Sequence, residues 1–506
     1  MPNHPIYDTI IIGSGLGGLI CAAILSKEGQ KVLVLEKNEQ AGGSLQTFQH
    51  NGTTFDTGVH YIGSLGKGQP LYQLFHYLGI MNRLELEQLD RSAFDTILFA
   101  SDEQPYPLAQ GYDAYIASLS AHFPDQTEGL IAFCNEMKKC CEKFPLYHVS
   151  GIEQVDDLTE LQRPLKAVLE QHISDKKLQR ILVGNNLLYA GNENTPFYVH
   201  ALIINSFIES SWRCKKGGDQ IAKLLIRTIK ANGGEVKRKA EVVRLVEENG
   251  QLQFAVIQTG EKFFAQQFIS NAHPRSTLAI LESQHIRQAF RSRINKQQDT
   301  PSAFVLYLEL EKDKVPYTNR NYYYFDSDEV WACANTPAAE WPKNFGLFEM
   351  VPEHGPFTEA ISVMTYMRYD EVAKWADSFH TTLNEVPRGA SYETFKQQKA
   401  AQLIEKIRIK FPHIAAHIRS YCVSTPLTYR DYLNYPEGGI YGIAKDFHEP
   451  VQTMISPNTR IPNLFFTGQN IKLHGILGVT ISAFVTCNVI LGREYLMGKV
   501  MLAQGS

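Results

Sequence analysis

The segment from Asp8 to Glu36 constrains the fold of this chain more than any other. It contains a short apolar run at residues 9–12, the glycine turn GSGLGG at residues 13–18, a helical stretch, a second apolar run at residues 31–35 and a terminal acid. This is the order of a βαβ unit that binds a dinucleotide. The carboxylate of Glu36 can accept hydrogen bonds from ribose hydroxyls and would repel a 2′-phosphate. The segment therefore predicts a dinucleotide cofactor near the start of the chain.

Three glycines of the turn have separate predicted tasks. Gly13 permits a tight turn, Gly15 lets the backbone approach a pyrophosphate, and Gly18 allows the helix to pack closely on the strand. The free N–H groups of the helix N-terminus then face the phosphates. Because this motif does not separate NAD from FAD, the choice between them depends on later segments.

Two later segments, EKNEQAGGS at residues 36–44 and FDTGVHYIG at residues 55–63, carry a family resemblance. They resemble the FAD-dependent phytoene desaturase, carotenoid isomerase and retinol saturase family of the flavin amine oxidase superfamily, and the second segment is most similar to the retinol saturase branch. The resemblance implies that Gly42 and Gly43 pass along the FAD pyrophosphate, where their backbone N–H groups are unobstructed. The superfamily usually has arginine after this pair, whereas this chain has Ser44, so an arginine contact is not expected there.

The C-terminal part of the chain repeats this local chemistry. The apolar strand NLFFTGQN at residues 463–470 ends in a glycine turn, and HGILGVT at residues 474–480 opens an apolar helix. A helix N-terminus in this position can direct N–H groups at an anion. In the resembled family this segment closes the FAD site, with the turn near the pyrophosphate or ribitol and the helix beneath the flavin. FAD is therefore the predicted cofactor.

Two further segments are expected to return the chain to the nucleotide-binding domain. The resemblance places the backbone of Val242 against the adenine, and FISNAHP at residues 268–274 is similar to a strand-end motif of the family. His273 is interpreted as a turn residue rather than a base, because proline follows it. The residues predicted to contact FAD are Gly13, Ser14, Gly15, Leu16, Gly17, Gly18, Glu36, Lys37, Gly42, Gly43, Ser44, Val242, Gly468, Gln469, Gly478, Val479 and Thr480.

The length of 506 residues is enough for two or more domains, and 44% hydrophobic and 20% charged residues are typical of a globular protein. We predict an α/β fold, with a Rossmann-type FAD-binding domain of the glutathione reductase and amine oxidase kind at residues 1–70, 211–299 and 420–506. A discontinuous α+β substrate-binding domain with a helical cap is expected at residues 71–210 and 300–419. The net charge of −4 argues against a nucleic-acid binder.

Periodicity and composition predict further elements. Strands are expected at residues 93–100, 241–246, 303–310, 321–325 and 360–366, and helices at residues 112–123, 127–144, 221–231 and 392–411. If residues 321–325 form a strand, successive rings of Tyr322, Tyr323 and Tyr324 point to opposite faces, so only some can face one cavity.

Eight cysteines without a C-x-x-C pair favour a reducing cytoplasm and predict neither a disulfide framework nor a metal site. The apolar stretch at residues 9–25 is interpreted as part of the βαβ unit rather than a signal peptide. The stretch at residues 475–491 is interpreted as a buried core helix rather than a membrane span. The predicted location is cytoplasmic, with peripheral attachment to a membrane left open because an apolar substrate would come from lipid.

Four side chains are candidates for moving a proton beside the flavin: His60, Tyr61, Tyr441 and His474. All lie in segments expected to approach the isoalloxazine ring, and histidine titrates near neutral pH. A carbocation-like path on a polyene, with no dedicated acid, also stays open.

The resemblance implies an FAD-dependent oxidoreductase that saturates, desaturates or isomerises C=C bonds of an apolar isoprenoid or polyene. One alternative is a flavin amine oxidase-like enzyme, and another is an FAD-binding protein without catalysis. Only one complete G-x-G-x-x-G unit is present, so no separate NAD(P)H domain is expected and the electron donor or acceptor is not identified. The expected partners are an apolar small molecule and this electron partner.

Overall fold

The structure is a computed structural model that describes residues 6–147, 149 and 158–503. The strands in this part of the chain are β1 (Ile6–Ile12), β2 (Val32–Leu35), β3 (Thr47–His50), β4 (Thr53–Asp56), β5 (Ile62–Gly63), β6 (Leu86–Gln88), β7 (Asp95–Phe99), β8 (Tyr106–Leu108), β9 (Ser211–Cys214), β10 (Glu235–Lys237), β11 (Val242–Glu248), β12 (Gln251–Ile257), β13 (Lys262–Ser270), β14 (Leu281–Glu282), β15 (Ser302–Leu310), β16 (Asn321–Phe325), β17 (Asn344–Glu349), β18 (Ala360–Met367), β19 (Ile418–Ser424) and β20 (Leu464–Phe466). The helices are α1 (Leu16–Lys27), α2 (Pro70–Tyr77), α3 (Tyr112–Ser120), α4 (Thr127–Glu142), α5 (Leu158–Leu161), α6 (Leu165–His172), α7 (Lys176–Leu182), α8 (Phe197–Glu209), α9 (Asp219–Ala231), α10 (Pro274–Ile280), α11 (Gln288–Lys296), α12 (Ala390–Lys410), α13 (Pro412–Ala415), α14 (Pro426–Leu433), α15 (Pro450–Thr453), α16 (Gly475–Leu491) and α17 (Arg493–Leu502).

The first sheet is built from strands that are far apart in the sequence. Its order is β10-β2-β1-β13-β12-β11-β14, with β20 also paired to β13. The central strands β2, β1, β13 and β20 are parallel, and Ile12 pairs with both Leu35 and Ser270 while Ser270 pairs with Phe466. These strands therefore end level with one another. Parallel sheets of this kind bind ligands beyond the carboxyl ends of their strands.

Helices α1, α9 and α16 cover one face of this sheet. Every residue of α1 from Leu16 to Ser26 is buried, and the helix packs against both α9 and α16. The apolar stretch at residues 475–491 is thus the buried core helix α16, as predicted. Among the described helices, none combines the length and apolarity that a bilayer crossing would require.

The second sheet has the order β19-β15-β18-β17-β16-β7-β8. Its two faces bury different clusters because side chains alternate along each strand. On β16, Tyr323 belongs to the core cluster that includes residues of α3, α4 and α8, whereas Tyr324 belongs to the cluster on the opposite face that includes residues of α12. The predicted alternation of the three tyrosines is confirmed, and only Tyr323 of the three faces the interior that leads to the first sheet.

Most predicted elements occur, and β16 has the predicted bounds. The predictions omitted β17 and β19, which complete the second sheet, and the short strands β6 and β8 within residues 71–210. The division into an FAD-binding and a substrate-binding domain stays a prediction. Its proposed limit at residue 420 falls within β19, a strand of the second sheet.

The cysteines and acidic groups provide no metal site in the described part of the chain. All eight cysteines are free thiols, and seven of them are buried. No group of three or more His, Cys, Asp or Glu side chains among the described residues is arranged to hold a metal ion.

Candidate functional site

A cavity of about 440 Å³ extends from the glycine turn after β1 to the inner face of the second sheet. One end is lined by most of the residues predicted to contact FAD: Gly13, Gly15, Leu16, Gly17, Glu36, Lys37, Gly42, Gly43, Ser44, Val242, Gly468, Gln469, Gly478 and Val479. We call this end the cofactor groove. The other end, which we call the apolar lobe, is lined mainly by Leu187, Leu202, Ile203, Phe207, Phe348, Met364 and Ile440.

The glycine turn fits the predicted close approach of backbone to a phosphate. Gly13 has φ +91°, a conformation that favours glycine. A Cβ atom on Gly17 would lie 2.6 Å from Asn271 Oδ1, and one on Gly15 would lie 2.8 Å from Asn271 Nδ2. The turn is therefore enclosed by Asn271, which the sequence predictions did not include among the site residues although its segment, residues 268–274, had been singled out.

Gly18 does not line the cavity, but its predicted task in helix packing agrees with its position. A Cβ atom on Gly18 would lie 2.2 Å from the carbonyl oxygen of Gly13. Real Cβ atoms do not approach backbone this closely, so a side chain there would push α1 away from β1. Gly18 acts on the groove through the position of the helix.

Glu36 lies at the end of β2, where its carboxylate is already oriented by hydrogen bonds. Oε2 accepts from the backbone N–H of Ser14 at 2.9 Å, and Oε1 accepts from the N–H of Asn38 at 2.8 Å. The Ser14 hydroxyl also donates to Oε2 and accepts from the N–H of Gly42 at 3.1 Å. Ser14 does not line the cavity, and it instead connects the ribose acid to the second glycine loop.

The second glycine loop crosses the first one closely. Gly42 and Gly43 have φ +126° and +56°, and a Cβ atom on Gly43 would lie 3.1 Å from the Cα of Gly15. Both loops therefore present bare backbone to the same groove. Next to it, Lys37 donates to the carbonyl oxygen of Asp431 at 2.6 Å, and burial lowers the pKa of the Lys37 ammonium.

The C-terminal turn closes the groove from the other side. Gly468 follows β20 with φ +95°, and its Cα lies 3.0 Å from the position of a Cβ on Gly17. Helix α16 begins at Gly475, and Gly478 and Val479 on its first turn line the cavity. Thr480 does not line it; its side chain is buried, and its hydroxyl donates to the Ile476 carbonyl at 2.7 Å within the helix. The position of α16 fits the predicted dipole toward bound anions.

Tyr441 and His474 stack with ring centroids 4.4 Å apart at the junction of groove and lobe. The Tyr441 hydroxyl donates to the Leu187 carbonyl at 2.9 Å, and His474 Nε2 donates to the Leu188 carbonyl at 3.0 Å. Burial lowers the pKa of His474 to about 4. Both side chains use their hydrogens to hold the segment after α7, so neither has a free proton to give.

His60 and Tyr61 also line the cavity but differ in their partners. The His60 ring stacks on Phe348 at 4.3 Å with an interplanar angle of 6°, and its Nδ1 has no hydrogen-bond partner among the described residues. Burial lowers the pKa of His60 to about 4, so the ring is neutral at pH 7. Tyr61 donates to Asp95 Oδ2 at 3.0 Å and lies 2.7 Å from the Tyr323 hydroxyl.

His273 is the turn residue that the sequence predicted. It precedes α10, and its Nδ1 accepts from the N–H of Arg275 at 3.2 Å. Its Nε2 lies 3.0 Å from Asp299 Oδ1, and the whole side chain is buried away from the cavity lining.

Asp95 and Tyr323 were not among the predicted site residues. Asp95 begins the apolar strand β7, and nothing in its own segment distinguishes it from a strand-end turn residue. Its partners Tyr61, Asn185 and Asn321 come from three other segments. Only the folded chain brings this polar cluster together behind the apolar lobe.

The chain resembles known proteins in both sequence and architecture. The chain is 29% identical over 535 aligned residues to human all-trans-retinol 13,14-reductase, covering 96% of this chain and 86% of that protein. It is 22% identical over 505 aligned residues to the chloroplastic prolycopene isomerase of Arabidopsis thaliana, covering 95% of this chain and 82% of that protein. A solved oxidoreductase from Methanosarcina mazei has the same fold, with a TM-score of 0.65 at 17% identity over 95% of this chain and 100% of its own.

These similarities confirm the family resemblance that residues 36–44 and 55–63 indicated, and the predicted fold class. The family model for flavin containing amine oxidoreductases matches residues 16–491, which is nearly the whole chain. The two bare backbone loops, the oriented Glu36 carboxylate and the N-terminus of α16 suit the phosphates and ribose of a dinucleotide. The chain therefore belongs to the flavin-containing amine oxidoreductase family, and FAD is its cofactor.

Proposed function

We propose that this protein is an FAD-dependent oxidoreductase that saturates, desaturates or isomerises C=C bonds in an apolar, conjugated isoprenoid or polyene. The observation that carries the proposal is the apolar lobe, which is continuous with the cofactor groove and lined mainly by aliphatic and aromatic side chains. A conjugated hydrocarbon has no charged group to be matched, so such a lining suits it. The named activities of the human and Arabidopsis relatives support the same substrate class.

Bound FAD supplies hydride transfer, while the protein supplies position, dryness and electrostatics. The groove residues Glu36 and Gly43 are proposed to hold the adenosine and pyrophosphate. The first turn of α16, with Gly478 and Val479, is proposed to lie beneath the flavin, where its N–H groups would favour negative charge. Tyr441 and His474 are proposed to shape the junction between flavin and substrate and to exclude water there.

An amine oxidase-like activity is less well supported by the lobe. A protonated amine needs a carboxylate or an aromatic cage to compensate its charge. Among the described residues that line the cavity, the acids are Glu36 and Glu241, and both lie at the adenosine end of the groove.

The experiment begins with the absorbance of the purified protein after addition of FAD. We expect a bound flavin band. Anaerobic reduction with dithionite, followed by mixing with conjugated retinoids or carotenoids, should reoxidise the flavin and give a product with altered conjugation. A fully saturated isoprenoid of equal length is the matched control and should leave the flavin reduced.

Two results would contradict the proposal in different ways. A protein with no flavin band at any FAD concentration would eliminate every redox activity. A flavin that binds and reduces normally but is reoxidised by primary amine-derived imines and by no polyene would favour the amine oxidase alternative. Binding without reoxidation by either class would leave the non-catalytic FAD-binding protein.

We further propose a cytoplasmic setting with peripheral attachment to a membrane, because an apolar substrate partitions into lipid. An electron donor or acceptor completes the proposed set of partners, and no nucleic acid is among them. Among the described residues at 71–210, Ile131 is the large apolar side chain with substantial exposure, at 43%. Exposure is larger for Ile409 on α12, at 65%, and largest for Leu502 on α17, at 78%, with Tyr495 of α17 at 50%. We assign the proposed lipid contact to α17 because it carries the most exposed of these side chains.

A further inference from the structure

A buried carboxyl group lies directly behind the wall of the apolar lobe. Tyr61 and Tyr323 line the cavity, and Asp95 lies behind them with no exposure to solvent. Asp95 is on β7, Tyr323 is on the adjacent strand β16, and Tyr61 comes from the segment between β4 and β5. Burying a carboxyl group costs free energy unless hydrogen-bond partners compensate it. We therefore ask which partners Asp95 has and whether it acts in the cavity.

Both carboxylate oxygens of Asp95 accept hydrogen bonds from neutral donors. Oδ1 accepts from Asn321 Nδ2 at 2.9 Å, and Oδ2 accepts from Asn185 Nδ2 at 3.2 Å and from the Tyr61 hydroxyl at 3.0 Å. The Tyr61 oxygen lies 2.7 Å from the Tyr323 oxygen. These contacts form a continuous hydrogen-bonded chain from the carboxyl group to two phenols at the cavity surface.

The charged group nearest to this chain is Arg213 on β9, which is buried and acts through Asn321. The Arg213 guanidinium donates to Asn321 Oδ1 and to the backbone carbonyl oxygens of Arg320 and Glu349. The other titratable groups that face Asp95 are Tyr61, Tyr323 and Tyr115, while Glu349 faces Arg213. Because no cation among the described residues contacts Asp95 directly, burial dominates and raises the pKa of its carboxyl to about 6.

Tyr441, His474 and His60 are less suited than this hydrogen-bonded chain to move a proton. Tyr441 and His474 donate their hydrogens to backbone carbonyls, and His60 is neutral with its ring stacked on Phe348. Burial and the neighbouring Asp95 raise the pKa of Tyr61 well above 10, so its hydroxyl does not ionise by itself. Tyr61 can release its hydrogen only if another hydrogen replaces it at the same time.

We propose that Asp95 is the proton reservoir of the reaction and that Tyr61 delivers the proton to the substrate carbon, with Tyr323 positioning the Tyr61 hydroxyl. This inference rests on the proposed function. When Asp95 is protonated, its hydrogen bond to Tyr61 reverses, so the carboxyl donates and the Tyr61 hydrogen is free to point into the lobe or toward Tyr323.

The step balances as follows for saturation of a C=C bond. Bound reduced FAD would supply a hydride to one carbon, and the neighbouring carbon takes the hydrogen of the Tyr61 O–H as a proton. Tyr61 receives the proton of Asp95 in the same event and stays neutral, while Asp95 becomes a carboxylate. The carboxylate regains a proton from water through the two phenols once the lobe is empty. In desaturation the same atoms move in reverse.

The test uses the FAD-loaded protein, reduced anaerobically with dithionite and mixed with a conjugated polyene in single turnovers between pH 5 and 9. In the wild type the rate of flavin reoxidation should fall about tenfold per pH unit above pH 6, as the donor carboxyl loses its proton. In Asp95→Asn and Tyr61→Phe the rate below pH 6 should fall about 100-fold or more, and the pH dependence should disappear. Tyr323→Phe should be slowed less and keep the pH dependence.

Two controls separate proton delivery from structural damage. Tyr324→Phe removes a hydroxyl from the same strand but on the opposite face, where it bonds Asp326 at 3.3 Å, and it should match the wild type. Reoxidation by ferricyanide, which takes electrons without forming a C–H bond, should be unchanged in every variant. If Asp95→Asn does not fold, the two tyrosine variants carry the comparison.

A second readout does not depend on turnover. Infrared difference spectra of the protein without substrate should contain a protonated carboxyl band that titrates near pH 6 and is absent from Asp95→Asn. The proposal is overturned if Tyr61→Phe keeps the wild-type rate and pH profile, or if this band titrates near the ordinary aspartate value of about 4. Failure of the proposed function has a different signature, in which ferricyanide reoxidises the wild-type flavin and no polyene does.

Discussion

Short distances to neighbouring atoms determine which amino acids fit at the positions around the groove. Gly18 is the clearest example, because the atom that a side chain would meet is the backbone oxygen of Gly13, only 2.2 Å from the expected Cβ position. If the neighbouring atom belonged to a flexible side chain, it could move aside, but this carbonyl oxygen is fixed by the turn between β1 and α1. Position 18 is therefore restricted to glycine by packing, independently of any contact with FAD.

We expect Gly18→Ala to lower the free energy of unfolding by about 1–3 kcal/mol and to weaken FAD binding, since α1 must move away from β1. Urea denaturation and flavin titration would measure both effects. Gly498→Ala is the matched control, because no atom lies within 4 Å of its added Cβ and alanine favours the α17 helix by up to about 1 kcal/mol. A Gly18→Ala protein as stable as the wild type would contradict the packing argument.

Sequence and structure agree at residue scale where the motif is local. The tasks of Gly13, Gly15 and Glu36 depend on neighbours within one βαβ unit, so their positions could be predicted. Asp95 could not be, because its environment consists of side chains from three other segments of the chain. The same limit explains why His474 looked like a proton donor when its hydrogen is used by the carbonyl of Leu188.

At the scale of elements, β4 and α9 are joined through one carboxyl group. Asp56 ends β4 and accepts the N–H of Gly218 at 2.7 Å, just before α9 begins. Burial, with a further contribution from Asp219, raises the pKa of Asp56 to about 7 despite this hydrogen bond. The carboxyl therefore stabilises the fold in its protonated form and loses that contribution on ionisation.

The sign of the pH effect follows from this shift. Between pH 4 and 7 the folded state binds more protons at Asp56 than the unfolded chain does, so the free energy of unfolding falls as pH rises through this window. Asp56→Asn lacks this titration. We expect its melting temperature, relative to the wild type, to increase from pH 4 to pH 8, as measured by thermal denaturation at each pH.

Exposed Asp313→Asn provides a matched removal of one carboxylate and should show no such trend relative to the wild type. A melting difference for Asp56→Asn that stays constant across this pH range would contradict the assignment. A difference that decreases with rising pH would mean that the ionised form is the stabilising one.

Elements with a strong periodic pattern can be predicted from the sequence. Strands that form because a neighbouring strand pairs with them cannot. The bounds of β16 follow from a run of aromatic residues between polar segments. Strand β19 alternates half-buried Ser420 and Cys422 with exposed Arg419 and Tyr421, so it has no regular apolar face, and it is a strand because β15 pairs with it. Strand β17 contains Gly346, whose Cβ position is occupied by Leu187 and the Phe348 ring, a packing reason that sequence periodicity does not contain.

At the scale of the whole molecule, the proposed lipid contact means that the exposed face of α17 lies against a membrane. Tyr495 and Leu502 are seven residues apart on α17 and so lie on the same helix face, with Gly498 between them. Since the net charge is −4, we expect co-sedimentation with vesicles of neutral phosphatidylcholine rather than with anionic ones. Leu502→Gln should reduce the fraction in the pellet.

Ile131→Gln, which changes an exposed apolar residue of the cap, is the matched control and should pellet like the wild type. A wild-type protein found entirely in the supernatant would contradict membrane attachment. Loss of pelleting in Ile131→Gln with retention in Leu502→Gln would transfer the contact to the cap.

The contact between the turns at Gly17 and Gly468 has a consequence for how the protein is made. One wall of the groove is synthesised well before the other, because β20 and α16 follow every strand of the second sheet in the sequence. A complete FAD site therefore cannot form on the ribosome before α16 has been synthesised. Until then, the first βαβ unit must persist without the ligand that its glycine loops are shaped to hold.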